Sequence, residues 1–108
     1  VIDERRQFER RPLRVDALVL SGSPVFTART FDISSGGMGI IAGVNVTCGA
    51  AYDVEFALPL KAKGALPVRC AVKVVNAVFM GSEGGFRIGL VFTQIAPNMA
   101  QAIASYVR

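Results

Sequence analysis

Apolar and polar positions alternate along most of this chain, and the alternation begins at residue 13. Leu13, Val15, Ala17 and Val19 share one side of a run whose other side carries Arg14, Asp16, Leu18 and Leu20. That period of two is the mark of a strand with one face in a core. Ser21-Gly22-Ser23-Pro24 reads as a turn. A second strand is expected from Val25 to Ile33, stopped by Ser34-Ser35-Gly36-Gly37, and a short third one from Met38 to Ala42. Tyr52, Val54, Phe56 and Leu58 alternate with Asp53, Glu55 and Ala57, the cleanest such pattern in the chain. Pro59 to Pro67 reads as a loop. Val68, Cys70, Val72 and Val74 then alternate with Arg69, Ala71, Lys73 and Val75, in a run that extends toward Met80. Gly81 to Gly85 turns the chain into Phe86, Ile88, Leu90 and Phe92. Pro97 occupies a favoured first helical position, and Met99, Ile103 and Val107 follow at helical spacing. The sum is a mainly β fold: a small six-stranded antiparallel barrel with a short C-terminal α-helix. Residues 1–12 are polar, end at Pro12 and are expected as a flexible lead-in; residues 13–108 form the barrel domain.

Composition narrows the function classes. At 108 residues and 52% hydrophobic, the chain suits one compact domain. Its apolar stretches are broken by Arg, Lys, Asp or Gly before they could span a bilayer as a helix. It opens on Val rather than Met and lacks a charged-then-apolar leader, which reads as a domain excised from something longer or as a trimmed chain. Histidine is absent, which removes the commonest general base and the usual Ser–His and Cys–His pairs. Cys48 and Cys70 are far apart in sequence and have no metal-ligand spacing, so they are expected as buried free thiols in a reducing compartment. No nucleophile–base pair or metal cluster stands out, and the chain is read as a non-enzyme with no resident metal or cofactor.

The net charge of +4 says less than its placement. Arg5, Arg6, Arg10, Arg11 and Arg14 fall within the first fourteen residues, without a lysine among them. Asp3, Glu4, Glu9 and Asp16 are interleaved with them, so bulk charge is not the point. Arginine alone, at low net charge, suggests planar guanidinium chemistry: bidentate contacts and stacking.

Two motifs carry the chemistry. The first is Glu4-Arg5-Arg6-Gln7-Phe8-Glu9-Arg10, an Arg-Arg-x-x-x-Arg skeleton just ahead of the first strand. The second is Asp32-Ile33-Ser34-Ser35-Gly36-Gly37, an Asp-x-Ser-x-x-Gly skeleton between two strands. This pair, in this order, resembles the signature of the PilZ domain family. The Phe86-Arg87-Ile88-Gly89-Leu90-Val91-Phe92 strand and the short last helix are similar to that family too, so the resemblance covers essentially the whole chain. It implies a six-stranded barrel that binds cyclic di-GMP as a ligand, with no catalysis. Arg6 and Arg10 fill the principal arginine positions, Arg5 is the additional one, and Asp32, Ser34, Gly36 and Gly37 fill the second motif. Arg11 fits no signature position and is read as a solvated or peripheral base. Arg14 is read as a strand-surface residue, although Arg10-x-x-x-Arg14 also satisfies the spacing. The extra guanidinium of Arg5 favours a stacked pair of ligands over a single molecule. The resemblance also implies a bacterial, cytoplasm-facing location, a protein partner or attached effector domain, and control of motility, biofilm polysaccharide or virulence.

The residue types suit such a ligand on physical grounds. Guanine offers O6 and N7 as adjacent acceptors, which arginine addresses bidentately. Arginine also forks onto phosphate and stacks on purines. A carboxylate such as Asp32 accepts from guanine N1–H and N2–H2, as no arginine can. Ser34 could contact phosphate or guanine. Gly36, Gly37 and Gly39 offer positive φ and close backbone approach, and adjacent N–H groups there could make an anion-binding concavity. The plainer readings are a solvated terminus for the arginines, an Asx-turn for Asp32 and a bulge or close packing for Gly89. The alternative function is a protein-interaction domain of the same fold that binds no nucleotide. General single-strand DNA or RNA binding ranks lower, since Trp is absent and most of the seven Phe fall on apolar strand faces.

Overall fold

The chain's alternating segments become seven strands and one helix in a computed structural model, which describes residues 9–20, 25–62 and 64–108. In chain order these are β1 (Arg10–Pro12), β2 (Asp16–Leu20), β3 (Phe26–Ser34), β4 (Gly37–Ala42), β5 (Ala51–Pro59), β6 (Ala65–Met80), β7 (Gly85–Gln94) and α1 (Pro97–Val107). All pairings are antiparallel. The order β3-β2-β5-β6-β7-β4 closes on itself through β3–β4, giving a six-stranded barrel with β1 as an outside strand on β3. Inward positions match the alternation: Ala17 and Val19, Val54, Phe56 and Leu58, Val68, Cys70, Val72 and Val74, Ile88 and Leu90 are all buried. A one-residue slip in any of these strands would turn its apolar set outward, so burial also sets the register.

The strand expected from Leu13 to Leu20 begins only at Asp16, and residues 13–15 lie between β1 and β2. Thr30 is 1% exposed and its hydroxyl donates to the Leu13 carbonyl at 2.5 Å while accepting from Val15 N at 2.8 Å. That side chain stands in for ladder hydrogen bonds and separates β1 from β2. Both still pair with β3, and Arg10–Pro12, expected within the lead-in, is a strand. Thr30→Val keeps the shape but strips both bonds, and is expected to cost about 1–3 kcal/mol in urea unfolding with an unchanged m-value.

The loop expected over residues 59–67 is shorter, because β6 begins at Ala65. Pro67 sits in β6 opposite Ala57, where β6 has β5 as a neighbour but does not yet pair with β7, a pairing that begins at Ala71 of β6. A proline without an N–H is tolerated on such a free edge. The C-terminal helix starts at Pro97 and buries Ile103 and Val107. Cys70 is buried, and desolvation pushes its thiol up to about 11; Cys48 is exposed, contrary to the expectation that both thiols are buried. No helix among the described residues is long and apolar enough to cross a membrane.

Candidate functional site

Strand β1 presents its two arginines to opposite sides, as the period of a strand requires. Arg11 faces the helix, where its Nη1 donates to the Tyr106 carbonyl at 2.7 Å and its guanidinium lies 4.2 Å from the Tyr106 ring centroid. The Tyr106 hydroxyl donates back to the Pro12 carbonyl at 2.9 Å. Arg11 is therefore a clamp between β1 and α1, and not simply a solvated base. Arg10 faces the other way, toward β3.

On β3, a bulge decides where Asp32 points. Thr30 pairs with Ile40 and Asp32 with Gly39, so Phe31 is an extra residue between the two pairs. The inserted residue keeps Thr30 inward yet turns Asp32 outward, a common use of bulges beside sites. Arg10 meets Asp32 as a two-pronged fork, Nε to Oδ2 and Nη2 to Oδ1, both at 2.8 Å. Arg10 also reaches Ser34 Oγ at 3.5 Å. The hydrogen bond from Arg10 holds the Asp32 carboxyl below its ordinary range against partial burial, aided by the Gly39 N–H and the nearby charge of Arg87. The same pairing raises Arg10.

Ser34 is 1% exposed, and its hydroxyl is engaged within the turn. It accepts from Gly36 N at 3.3 Å and Gly37 N at 3.2 Å, and donates to the Gly37 carbonyl at 3.2 Å. The two N–H groups expected to form an anion concavity are thus aimed at Ser34. Gly37 and Gly39 do not adopt positive φ; they are small because neighbours come close. A Cβ on Gly39 would lie 2.8 Å from Asp32 Oδ1, and one on Gly37 would lie 2.1 Å from the Leu90 carbonyl oxygen.

These residues share one groove of about 570 Å3, lined by Arg10, Asp32, Ser34, Gly36, Gly37 and Gly39 together with Arg87, Gly89, Asn76 and apolar neighbours. That size is in the range of small-molecule sites. Arg5 and Arg6 lie outside the described residues. Arg14 stays on the surface, its guanidinium 5.1 Å from the Phe31 ring centroid. A larger hollow of about 850 Å3 opens elsewhere among Ala17, Ala28, Phe56, Val68 and Met99. It holds none of the motif residues, so volume alone does not choose the site; the convergence of charge does. Sequence reasoning did not single out Asn76 and Arg87, which line the groove, and the close packing expected at Gly89 is found, since a Cβ there would lie 2.8 Å from Asn76 Oδ1. The available signal was that Arg87 and Gly89 share the outer face of β7.

No curated protein matches the sequence. Among solved structures, the inhibitor of motility MotI/DgrA of Bacillus subtilis superposes with a TM-score of 0.85 at 18% identity, over 98% of this chain and 50% of that one. The chain thus spans half the length of MotI. The PilZ domain of YcgR from Escherichia coli, solved with c-di-GMP, gives 0.69 at 16% identity, over 95% of this chain and 88% of that one. PlzA of Borreliella burgdorferi, also solved with c-di-GMP, gives 0.56 at 15% identity, over 100% of this chain and 38% of that one. At these identities the structures speak for the fold, and the sequence profile of the PilZ domain matches residues 4–108. The chain belongs to the PilZ domain family.

Proposed function

We propose that this domain is a receptor for cyclic di-GMP that signals to a partner or attached domain and catalyses nothing itself. The observation that carries the reading is the meeting of Arg10 and Asp32, 22 positions apart in sequence, in one groove. The YcgR and PlzA structures, which hold c-di-GMP on this fold, support it.

The chemistry divides between the residues. Asp32 offers two oxygens with several acceptor sites, enough to keep Arg10 and to take guanine N1–H and N2–H2. Arg10 brings a donor edge for guanine O6 and N7 or for phosphate. Ser34, Gly36 and Gly37 act by setting the turn that carries these groups. Arg5 and Arg6 precede Arg10 by five and four positions in the sequence. Their guanidinium groups add to the ligand contacts, and ligand binding changes the surface that this Arg-rich segment shows to the partner. The setting is a cytoplasm-facing one.

Calorimetry with cyclic di-GMP on the folded chain tests the reading. Saturable heat in the micromolar range or tighter is expected, and the end point gives one ligand or a stacked pair per chain. No heat at high micromolar ligand would leave an interaction domain that uses no nucleotide.

A further inference from the structure

The groove has a floor of glycine and two walls, and only one wall belongs to the two sequence motifs. Following the ladder outward from Asp32, Asp32 pairs with Gly39, Gly39 with Gly89, and Gly89 with Asn76. Paired residues share a face, so this is one row across β3, β4, β7 and β6 with side chains only at its ends. Asp32 leans over Gly39, and Asn76 leans over Gly89, where a Cβ would lie 2.8 Å from Asn76 Oδ1. Asn76 Oδ1 accepts from Gly89 N at 3.1 Å, which leaves its Nδ2 as a donor. Two residues from Gly89 on the same strand face, Arg87 lies with its guanidinium 3.6 Å from the Phe31 ring centroid. Phe31 is the bulged residue that turns Asp32 outward, so one local feature both aims the carboxylate and seats a second guanidinium.

We infer that Asn76, across the Gly39–Gly89 floor from Asp32, and Arg87, which reaches over β4 to stack on Phe31, together form a second ligand wall beside the Arg10–Asp32 pair. This rests on the receptor reading above. A guanidinium has two faces and a donor edge, and Phe31 takes one face; the remaining surface suits a guanine O6/N7 edge or a phosphate. Stacking on the ring fixes its plane before the ligand arrives, so less freedom is lost on binding. The glycines let a flat purine approach the backbone between the walls. A dinucleotide with two guanines and two phosphates fits such a site: Arg10 and Asp32 take one nucleotide unit, and Arg87 and Asn76 take the other.

Cyclic di-GMP is titrated calorimetrically into the unsubstituted chain and into Arg87→Met, Arg87→Lys, Asn76→Ala and Lys61→Met, with thermal melting of each in the absence of ligand. Arg87→Met, which keeps an alkyl contact with Phe31, is expected to lose at least about tenfold in affinity. Arg87→Lys is expected to lose most of the same, because an ammonium neither stacks nor forks as a guanidinium does. Asn76→Ala loses a smaller factor, and Lys61→Met, on an exposed loop, binds as the unsubstituted chain does. Full affinity in Arg87→Met overturns the second wall while the receptor reading stands. Full recovery in Arg87→Lys overturns the stacked, planar role in favour of charge alone. An unsubstituted chain that binds nothing rejects the receptor reading and this inference together.

Discussion

Asp32→Ala is expected to reduce cyclic di-GMP affinity by on the order of 100-fold or more while leaving the fold almost as stable as before. The binding loss has two sources. The carboxylate that accepts from guanine N1–H and N2–H2 is gone, a bidentate contact worth about 1–3 kcal/mol. Arg10 also loses the fork that holds it, since both of its bonds at 2.8 Å end on this one carboxylate. An arginine released to solvent must be ordered again when the ligand binds. The stability loss is small because the pair is partly open to water, with side-chain exposures of 41% for Arg10 and 20% for Asp32. Ion pairs open to water typically contribute about 0.2–1 kcal/mol, and bidentate geometry places this one toward the upper end. Calorimetry and thermal melting on the same preparation separate the two effects. Unchanged affinity would show that Asp32 serves only the geometry of β3, and a large drop in melting temperature would show that the fork is mainly structural.

Much of the fold was legible because inward and outward positions differ so sharply in kind. Val54, Phe56 and Leu58 against Asp53, Glu55 and Ala57 leave one way to orient β5, and the structure buries those three apolar residues. What the pattern could not show was where a side chain replaces the backbone. Thr30 reads as one more polar residue in a strand, yet its buried hydroxyl divides β1 from β2. The candidate site was readable as a set of residue types, and the structure brings Arg10, Asp32, Ser34, Gly36 and Gly37 to one groove. The second wall was not legible. Whether Arg87 or Asn76 lies near Asp32 depends on the β3–β4 bulge and the β6–β7 irregularity between Val74 and Asn76. Each shifts the register by a residue, and no local pattern in β6 or β7 announces that shift. Arg11 illustrates the same limit, since its partner Tyr106 is 95 positions away.

Gly37→Ala is expected to be one of the most damaging single-methyl changes among the described residues, and its damage falls on the barrel before it reaches the ligand. The added Cβ would lie 2.1 Å from the Leu90 carbonyl oxygen and 3.1 Å from the Val91 Cα, both of them backbone atoms. No rotamer change can relieve such a contact. The strands must separate, and β4–β7 is one of the ladders that close the barrel. The neighbouring bonds make that costly, since Phe92 N donates to Gly36 O at 2.9 Å and Ser34 binds both the N–H and the carbonyl of Gly37. Overpacking of this kind costs about 1–3 kcal/mol and more where the obstacle is rigid. With a total stability on the order of 5–15 kcal/mol, a loss of about 3 kcal/mol lowers the melting temperature by roughly 12–24 °C. Gly43→Ala is the matched control: its Cβ would meet nothing within 4 Å, and its φ is not positive. It is expected to melt within a few degrees of the unsubstituted chain, or slightly above it. Melting both variants without ligand assigns the last glycine of the second motif. A Gly37→Ala chain that melts normally but binds no cyclic di-GMP would make Gly37 a ligand contact; one that melts early makes it the point where the site depends on barrel closure.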